Sequence, residues 1–272
     1  MKVLSLNIEY GGYFLYKRSN ESYAYINKYV DLIKQHDIDI VCFQEAFLVG
    51  KGVKRPFDIT RSIASKLGYY HVNNPHAYIS IISKYPLTRL STNTYNFLTC
   101  SIDLEHGKTV LVTNLHLNDE PNTFYSLVGL PYHNTPMVVS EKEAIGLSFA
   151  AKQKDLTELF SLLKHRRDPS IICGDFNEVS HLDYPLNWKS SRLLYSKGYA
   201  DVVRVFHPDP HKDPLFTCDV YKHGVDSVPM RIDMVYYKNL LPIGVDYIHG
   251  IKYRKQDMSD HIPILSEFRL SS

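Results

Sequence analysis

Apolar runs in this 272-residue chain repeatedly meet residues of the kinds that hold metals and phosphates. Val3–Leu6 runs into Asn7, and Val41–Phe43 into Gln44 and Glu45. Val110–Leu115 runs into His116, and Ile171–Gly174 into Asp175, Phe176 and Asn177. Arg231-Ile232 leads through Asp233 into another apolar run, and Ser259-Asp260-His261 stands just before the last one. The oxygens of Asn, Glu and Asp suit a hard cation such as Mg²⁺ or Mn²⁺ rather than zinc, and histidine and asparagine donate to phosphate oxygens. A phosphodiester anion repels hydroxide. A bound cation and well-placed donors offset that repulsion where charge builds up, and a carboxylate that positions water supplies orientation. Glu45 follows a buried strand, where a carboxylate without a partner is costly, which favours a ligand role. Asp233 also offers an ion-pair partner to Arg231.

The patterning says which elements must carry these residues. Residues 2–8 alternate apolar and polar as a strand does, and Ile38–Phe43 reads as a buried strand. Residues 22–35 have helical spacing, and 57–67 form a second helix stopping at Gly68. Segments near 69–74, 78–83, 87–95 and 97–104 are short and β-rich, and 108–117 is a further apolar strand. The stretch 118–139, with three prolines and several Tyr, Asn and His residues, is long for a plain connection. Ser140-Glu-Lys-Glu143 is a capping box that opens a helix to about Lys164, with Ile145, Phe149, Leu156, Phe160 and Leu163 on its apolar face. Buried strands follow at 170–173, 232–237 and 262–269, and short strands and loops fill the rest. This mixture predicts one α/β domain over 1–272, with two packed sheets and outer helices.

Composition narrows the partners. With 44% hydrophobic and 22% charged residues the chain is ordinarily globular, and its net charge of +2 is well short of the basic footprint of a strong duplex-DNA binder. Cys42, Cys100, Cys173 and Cys218 are far apart and form no CxxC pair, so they read as buried reduced thiols. No run reaches the length of a membrane span, and the N-terminus reads straight into a strand instead of a signal peptide. A cytoplasmic monomer is the default expectation.

The motifs Ser5-Leu-Asn7, Phe43-Gln-Glu45, Thr113-Asn-Leu-His116, Gly174-Asp-Phe-Asn177, Arg231-Ile-Asp233 and Ser259-Asp-His261 resemble, in order, those of the endonuclease/exonuclease/phosphatase (DNase I-like) superfamily. Ile81-Ile-Ser-Lys-Tyr-Pro86 is similar to a further element of it. The stretches His116-Leu, Asp119-Glu-Pro, Leu130-Pro-Tyr and Glu178-x-Ser-His-Leu-Asp183 are similar to a less-characterised bacterial and fungal branch. The resemblance implies a four-layer α/β/β/α sandwich of two mixed sheets with the site at one rim. It implies that Glu45 is the principal metal ligand and that Asn7 and Asp260 complete or support the metal shell. By the same likeness Asp175 orients or deprotonates water, Asn177 holds the phosphate, Asp233 fixes the tautomer of His261, and His116 donates to a phosphate oxygen or the leaving group. Asp175 and the Asp233–His261 pair are joint candidates for general base.

The expected reaction is therefore hydrolysis of a phosphate ester, chiefly a diester, with Mg²⁺ or Mn²⁺. The aromatic, polar stretch 118–139 points to a small nucleotide-like or single-stranded nucleic-acid substrate with a stackable ring. Tyr10, Asn118, Tyr132, Glu178 and His181 are candidate substrate contacts. Tyr125, His133, Ser180 and Asp183 lie in the same stretches. A DNA or RNA endonuclease, a sphingomyelinase and an inositol-phosphate phosphatase are the alternatives. A catalytically dead binding module is disfavoured, because Glu45, Asp175 and His261 are all present. Gly11-Gly12 reads as a turn, and Lys51, Lys54 and Arg55 either contact phosphates or form a solvated face.

Overall fold

Alternation along each central strand sends neighbouring side chains to opposite faces, and that pleat builds the layers. In β1 (Lys2–Asn7) and β2 (Ile40–Gln44), Val3, Ile40 and Cys42 face a second sheet, while Leu4, Val41 and Phe43 face helices. The computed structural model describes residues 1–20, 22–132, 137–138, 140–218 and 228–270. Between the first two strands lie α1 (Glu9–Arg18) and α2 (Ile26–Gln35). A small hairpin, β3 (Phe47–Leu48) and β4 (Phe57–Asp58), precedes α3 (Ile59–Leu67). Then come β5 (Tyr70–Asn74), β6 (Ile79–Ser83), β7 (Leu87–Arg89), β8 (Phe97–Asp103) and β9 (Thr109–His116). The short α4 (Thr123–Leu127) and the long α5 (Glu141–Leu163) lead to β10 (Ser170–Asp175). After α6 (Lys189–Ser196), β11 (Ala200–Asp201) and α7 (Val202–Phe206) the chain closes with β12 (Asp233–Lys238), β13 (Leu240–Tyr247), β14 (Lys252–Tyr253), β15 (Gln256–Asp257) and β16 (Ile264–Leu270).

The strands form two six-stranded mixed sheets, ordered β13-β16-β1-β2-β6-β5 and β11-β12-β10-β9-β8-β7. Each has one parallel pair near its centre, β1/β2 and β9/β10, and antiparallel neighbours elsewhere. Parallel partners end at the same rim: Asn7 stands beside Gln44, and His116 beside Asp175. The antiparallel strands start where the parallel ones end, so Asp233 opens β12 opposite Asp175, and His261 sits just ahead of β16 beside β1. α2 and α3 cover the outer face of the first sheet, and α5 and α6 that of the second, where Leu156 and Leu194 pack on Ile172 and Tyr236. The result is the four-layer sandwich the motifs led us to expect.

Several expectations are corrected. Residues 57–58 are strand; the helix starts at Ile59, where Asp58 caps it by accepting from Thr60 N. The first long helix starts at Ile26, not 22. Only Leu87–Arg89 of 87–95 is strand, and 118–139 includes a helical turn, α4. The left-handed φ angles of Glu9, Tyr10, Gly11 and Gly12 bear out the turn, but a helix follows it to Arg18. α6, α7 and β13 lie where only short strands and loops were expected. All four cysteines are buried and free, and among the described residues no helix is long and apolar enough to cross a membrane.

Candidate active site

The end of β1 meets the end of β10 through one amide. Asn7, fully buried, donates from Nδ2 to Glu45 Oε1 (3.1 Å) and Asp175 Oδ2 (3.2 Å), while its Oδ1 accepts from Glu9 N (3.0 Å). The two carboxylates demand a donor, which fixes the amide's orientation. Glu45 itself is left-handed at φ 51. The turn after β1 holds it there: Tyr10 N donates to Oε2 (2.8 Å) and Gly11 N to its carbonyl (2.7 Å). That turn needs glycine at 11, where a β-carbon would stand 2.2 Å from Leu48 N. Beneath the rim, Gln44 donates to Asn114 Oδ1 across the sheets (2.6 Å), and Asn114 donates to the carbonyls of Phe43 and Ser80.

On the second sheet, Asp175 accepts from Asn177 N (2.9 Å), and its Oδ2 lies 3.8 Å from both His116 Nε2 and His261 Nε2. Burial and then the nearby Asp233 push its carboxyl up to about 6, although both histidines oppose the shift. His261 Nδ1 is 2.7 Å from Asp233 Oδ2. Burial opposes protonation of this imidazole, yet Asp233 and then Cys218 outweigh it and raise it well above its ordinary range. Arg231 is buried against Asp183 and Asp201, not Asp233, so Asp233 keeps its carboxylate for His261. Thr217 Oγ1 accepts from the backbone of Ile232 and Asp233, and Ser259 ties the loop before His261 to Asn7 O.

These groups open into a cleft of about 840 Å³. Glu9, Glu45, Asp119, Asp175 and Asp260 line it with His76, His116 and His261, and no lysine or arginine is among its described lining residues. The Tyr10 hydroxyl registers this charge: Glu45 first, then burial and Asp119, Asp260 and Glu9 raise it. A phosphate anion entering five carboxylates needs a counter-cation, and oxygen donors are what Mg²⁺ and Mn²⁺ take. The residues therefore fit a hard divalent cation. Asp175, Asp233 and His261 also bring ligand atoms within 4.8 Å of one another. Those three are buried, with His261 Nδ1 and Asp233 Oδ2 in contact, whereas Glu45 and Asp260 are only half-buried on the cleft lining and form the more accessible seat.

The family described as endonuclease/exonuclease/phosphatase matches residues 4–261, the span that holds every group above. The chain belongs to the endonuclease/exonuclease/phosphatase family. It is 21% identical over 271 residues to an uncharacterised protein of Caenorhabditis elegans, covering 85% of this chain and 81% of that one. Its fold is similar to that of an endonuclease/exonuclease/phosphatase family protein from Leptotrichia buccalis, with TM-score 0.61, 18% identity and coverage of 99% and 100% of the two chains. It is also similar to D. rerio TDP2 complexed with single strand DNA product, with TM-score 0.57, 12% identity and coverage of 99% and 98%.

Among endonuclease/exonuclease/phosphatase motif residues, Asn7, Glu45, His116, Asp175, Asn177, Asp233, Asp260 and His261 gather at one rim. Asn7 joins Glu45 to Asp175 through Nδ2, and its oxygen accepts from Glu9 N. Asn177 gives one amide hydrogen to Leu117 O (2.9 Å) and lines the cleft. Tyr10, Asn118 and Tyr132 line it too; Tyr132 pairs with the Tyr125 ring at 4.8 Å and donates to Asp119 (3.4 Å). Glu178 and His181 do not line it. Glu178 is buried, accepting from Ser148 Oγ (2.7 Å) and Ser190 N (3.0 Å), and so ties the loop after β10 to α5 and α6. His181 is bonded to Ser191 Oγ (2.8 Å). The chain turns inward after Asn177, which takes both away from the cleft. His133 lies outside the described residues. Sequence reasoning missed Thr217, Ser259 as a brace, and the carboxylate Glu9, at which only its adjacency to Asn7 hinted; Asp119, in a stretch singled out after His116, lines the cleft.

Proposed function

We propose that this protein is a Mg²⁺- or Mn²⁺-dependent phosphodiesterase acting on a small nucleotide-like or single-stranded nucleic-acid substrate. The observation that carries the reading is the Asn7 bridge. One amide links Glu45, the candidate cation ligand, to Asp175, the candidate for orienting water. Glu45 and Asp260 would hold the cation, with Asn7 in support. A cation bound there would supply Lewis-acid stabilisation of the charge on the phosphate. Asp175 Oδ2 accepts a hydrogen bond from the attacking water, orients it and receives its proton. His261, held protonated by Asp233, donates to a phosphate oxygen as charge builds there. His116 is placed to donate to the same group or to the departing oxygen, and Asn177 to a second phosphate oxygen. Tyr10 and Tyr132 supply ring faces for a base or similar group, with the buried Tyr125 packed behind Tyr132.

The reading is tested by a metal-supplemented hydrolysis screen. Its arms are a chromogenic nucleoside phosphodiester, cyclic dinucleotides, single-stranded and plasmid DNA, RNA, inositol phosphates and sphingomyelin. The expected result is Mg²⁺-dependent turnover of the small diester or single strand above plasmid DNA. Turnover of plasmid DNA as readily as of short oligomers contradicts the substrate reading.

A further inference from the structure

The acidic cleft has little to attract a polyanion before a cation is bound, yet a strongly basic face adjoins it. Residues 10–20 and 49–57 carry Lys17, Arg18, Lys51, Lys54 and Arg55 and not one Asp or Glu. These segments are far apart in sequence, and the fold joins them. Tyr13 OH donates to Lys51 O (3.0 Å), and Lys17 Nζ lies over Gly52, 3.3 Å from where a β-carbon there would stand. Aromatic rings run through the same face. Tyr16 and Tyr23 are 5.1 Å apart, and Tyr23 and Phe57 5.6 Å, with Tyr23 45% and Phe57 42% exposed. Tyr23, Phe57, Ser62 and Lys66 line a groove of about 380 Å³ between the α1–α2 connection and α3. The face reaches the cleft through Val49 and through Phe14, which lines the cleft and packs edge-on against Tyr13 at 5.4 Å.

Resting on the phosphodiesterase reading, we infer that this face binds single-stranded nucleic acid and leads it into the cleft. Charge complementarity names a polyanion: ammonium and guanidinium groups bordering exposed rings offer contacts to phosphates and stacking platforms to bases at once. A duplex hides its base faces and leaves the rings unused. A lipid surface calls for projecting apolar tips, whereas Tyr23 and Phe57 line a concavity. The face also separates affinity from chemistry, holding the strand by cations outside a catalytic cleft that keeps its own carboxylates.

The test is fluorescence anisotropy of a labelled oligothymidylate, in chelator to prevent cleavage, with the full chain and a Lys51→Glu/Lys54→Glu/Arg55→Glu variant. All three side chains lie on the surface of the 49–57 segment, so the melting temperature is expected to be unchanged. The expected result is at least a tenfold loss of affinity. The slope of log affinity against log salt should fall by about 2, because each single-strand phosphate neutralised by the protein adds about 0.7 to it. Tyr23→Ala should weaken binding several-fold, and duplex of the same sequence should bind less tightly than single strand. Turnover of bis(p-nitrophenyl) phosphate with Mg²⁺ should be equal in wild type and triple variant. Oligothymidylate binding unchanged in the triple variant overturns the inference, as does wild-type binding to phosphatidylserine vesicles but not to oligothymidylate. Absence of Mg²⁺-dependent turnover of the small diester in both proteins overturns the phosphodiesterase reading instead, whatever the binding result.

Discussion

Asn7 has two carboxylates within hydrogen-bond distance of one amide nitrogen, and this makes it sensitive to a one-atom change. Asn7→Asp removes the donor and adds a third anion between Glu45 and Asp175, so kcat/KM of a small diester should fall by about 10²-fold or more. A value within twofold of wild type would exclude the bridge from catalysis. His261→Ala should cost about 10²–10⁴-fold. Asp233→Asn should cost less, because the imidazole stays but loses the anion that keeps it charged. Equal kcat for Asp233→Asn and wild type would show that the pair does no proton work. At this scale the sequence was informative where chemistry ends a strand, as at Asn7, His116 and Asp175. It was uninformative at Thr217, an ordinary threonine until the fold lays it under Asp233, and misleading at Glu178, whose neighbours in sequence point to substrate while its own carboxylate serves α5 and α6.

The elements set these residues by close approach. β10 crosses so near β9 that a β-carbon at Gly174 (φ 136) would stand 2.0 Å from Leu115 O. Gly174→Ala should therefore destabilise by more than about 2 kcal/mol through backbone strain, read as a lowered denaturation midpoint; an unchanged midpoint would contradict that packing. Asp58, the last residue of β4, ties that strand to α3 and β5. Burial opposes the charge of its carboxyl, but hydrogen bonds from His71, Thr60 and Asn73 outweigh it and keep the carboxyl below its ordinary value. A depressed carboxyl contributes stability that is complete above the unfolded value of about 4 and is lost as pH falls through the folded one. Asp58→Asn should then cost about 1–3 kcal/mol near neutral pH, and the difference from wild type should shrink below about pH 4 in denaturant titrations. A gap that stays constant with pH would remove the charge from the account. Strand and helix cores were legible because their apolar periods are long. α1 was not, since its opening turn is left-handed and Gly11-Gly12 masks the helix that follows.

At the scale of the molecule, a net charge of +2 hides a separation that no composition reports. Carboxylates from residues 9, 45, 119, 175 and 260 converge on one cleft, while cations from residues 17–18 and 51–55 gather beside it. The order of the motifs made the two-sheet sandwich readable, since parallel pairs flanked by antiparallel strands bring those motifs to a single rim. Which side chains line the cleft depends on how loops turn after each strand, and a linear pattern does not encode that directly. The most direct measurement is hydrolysis of a chromogenic nucleoside phosphodiester by the purified chain, with Mg²⁺, after EDTA and after Mg²⁺ is restored, alongside Asp175→Ala. The account predicts turnover that EDTA abolishes, that Mg²⁺ restores, and that falls by several orders of magnitude in the variant, about 10³-fold or more. Undiminished turnover in EDTA, or in Asp175→Ala, would contradict it.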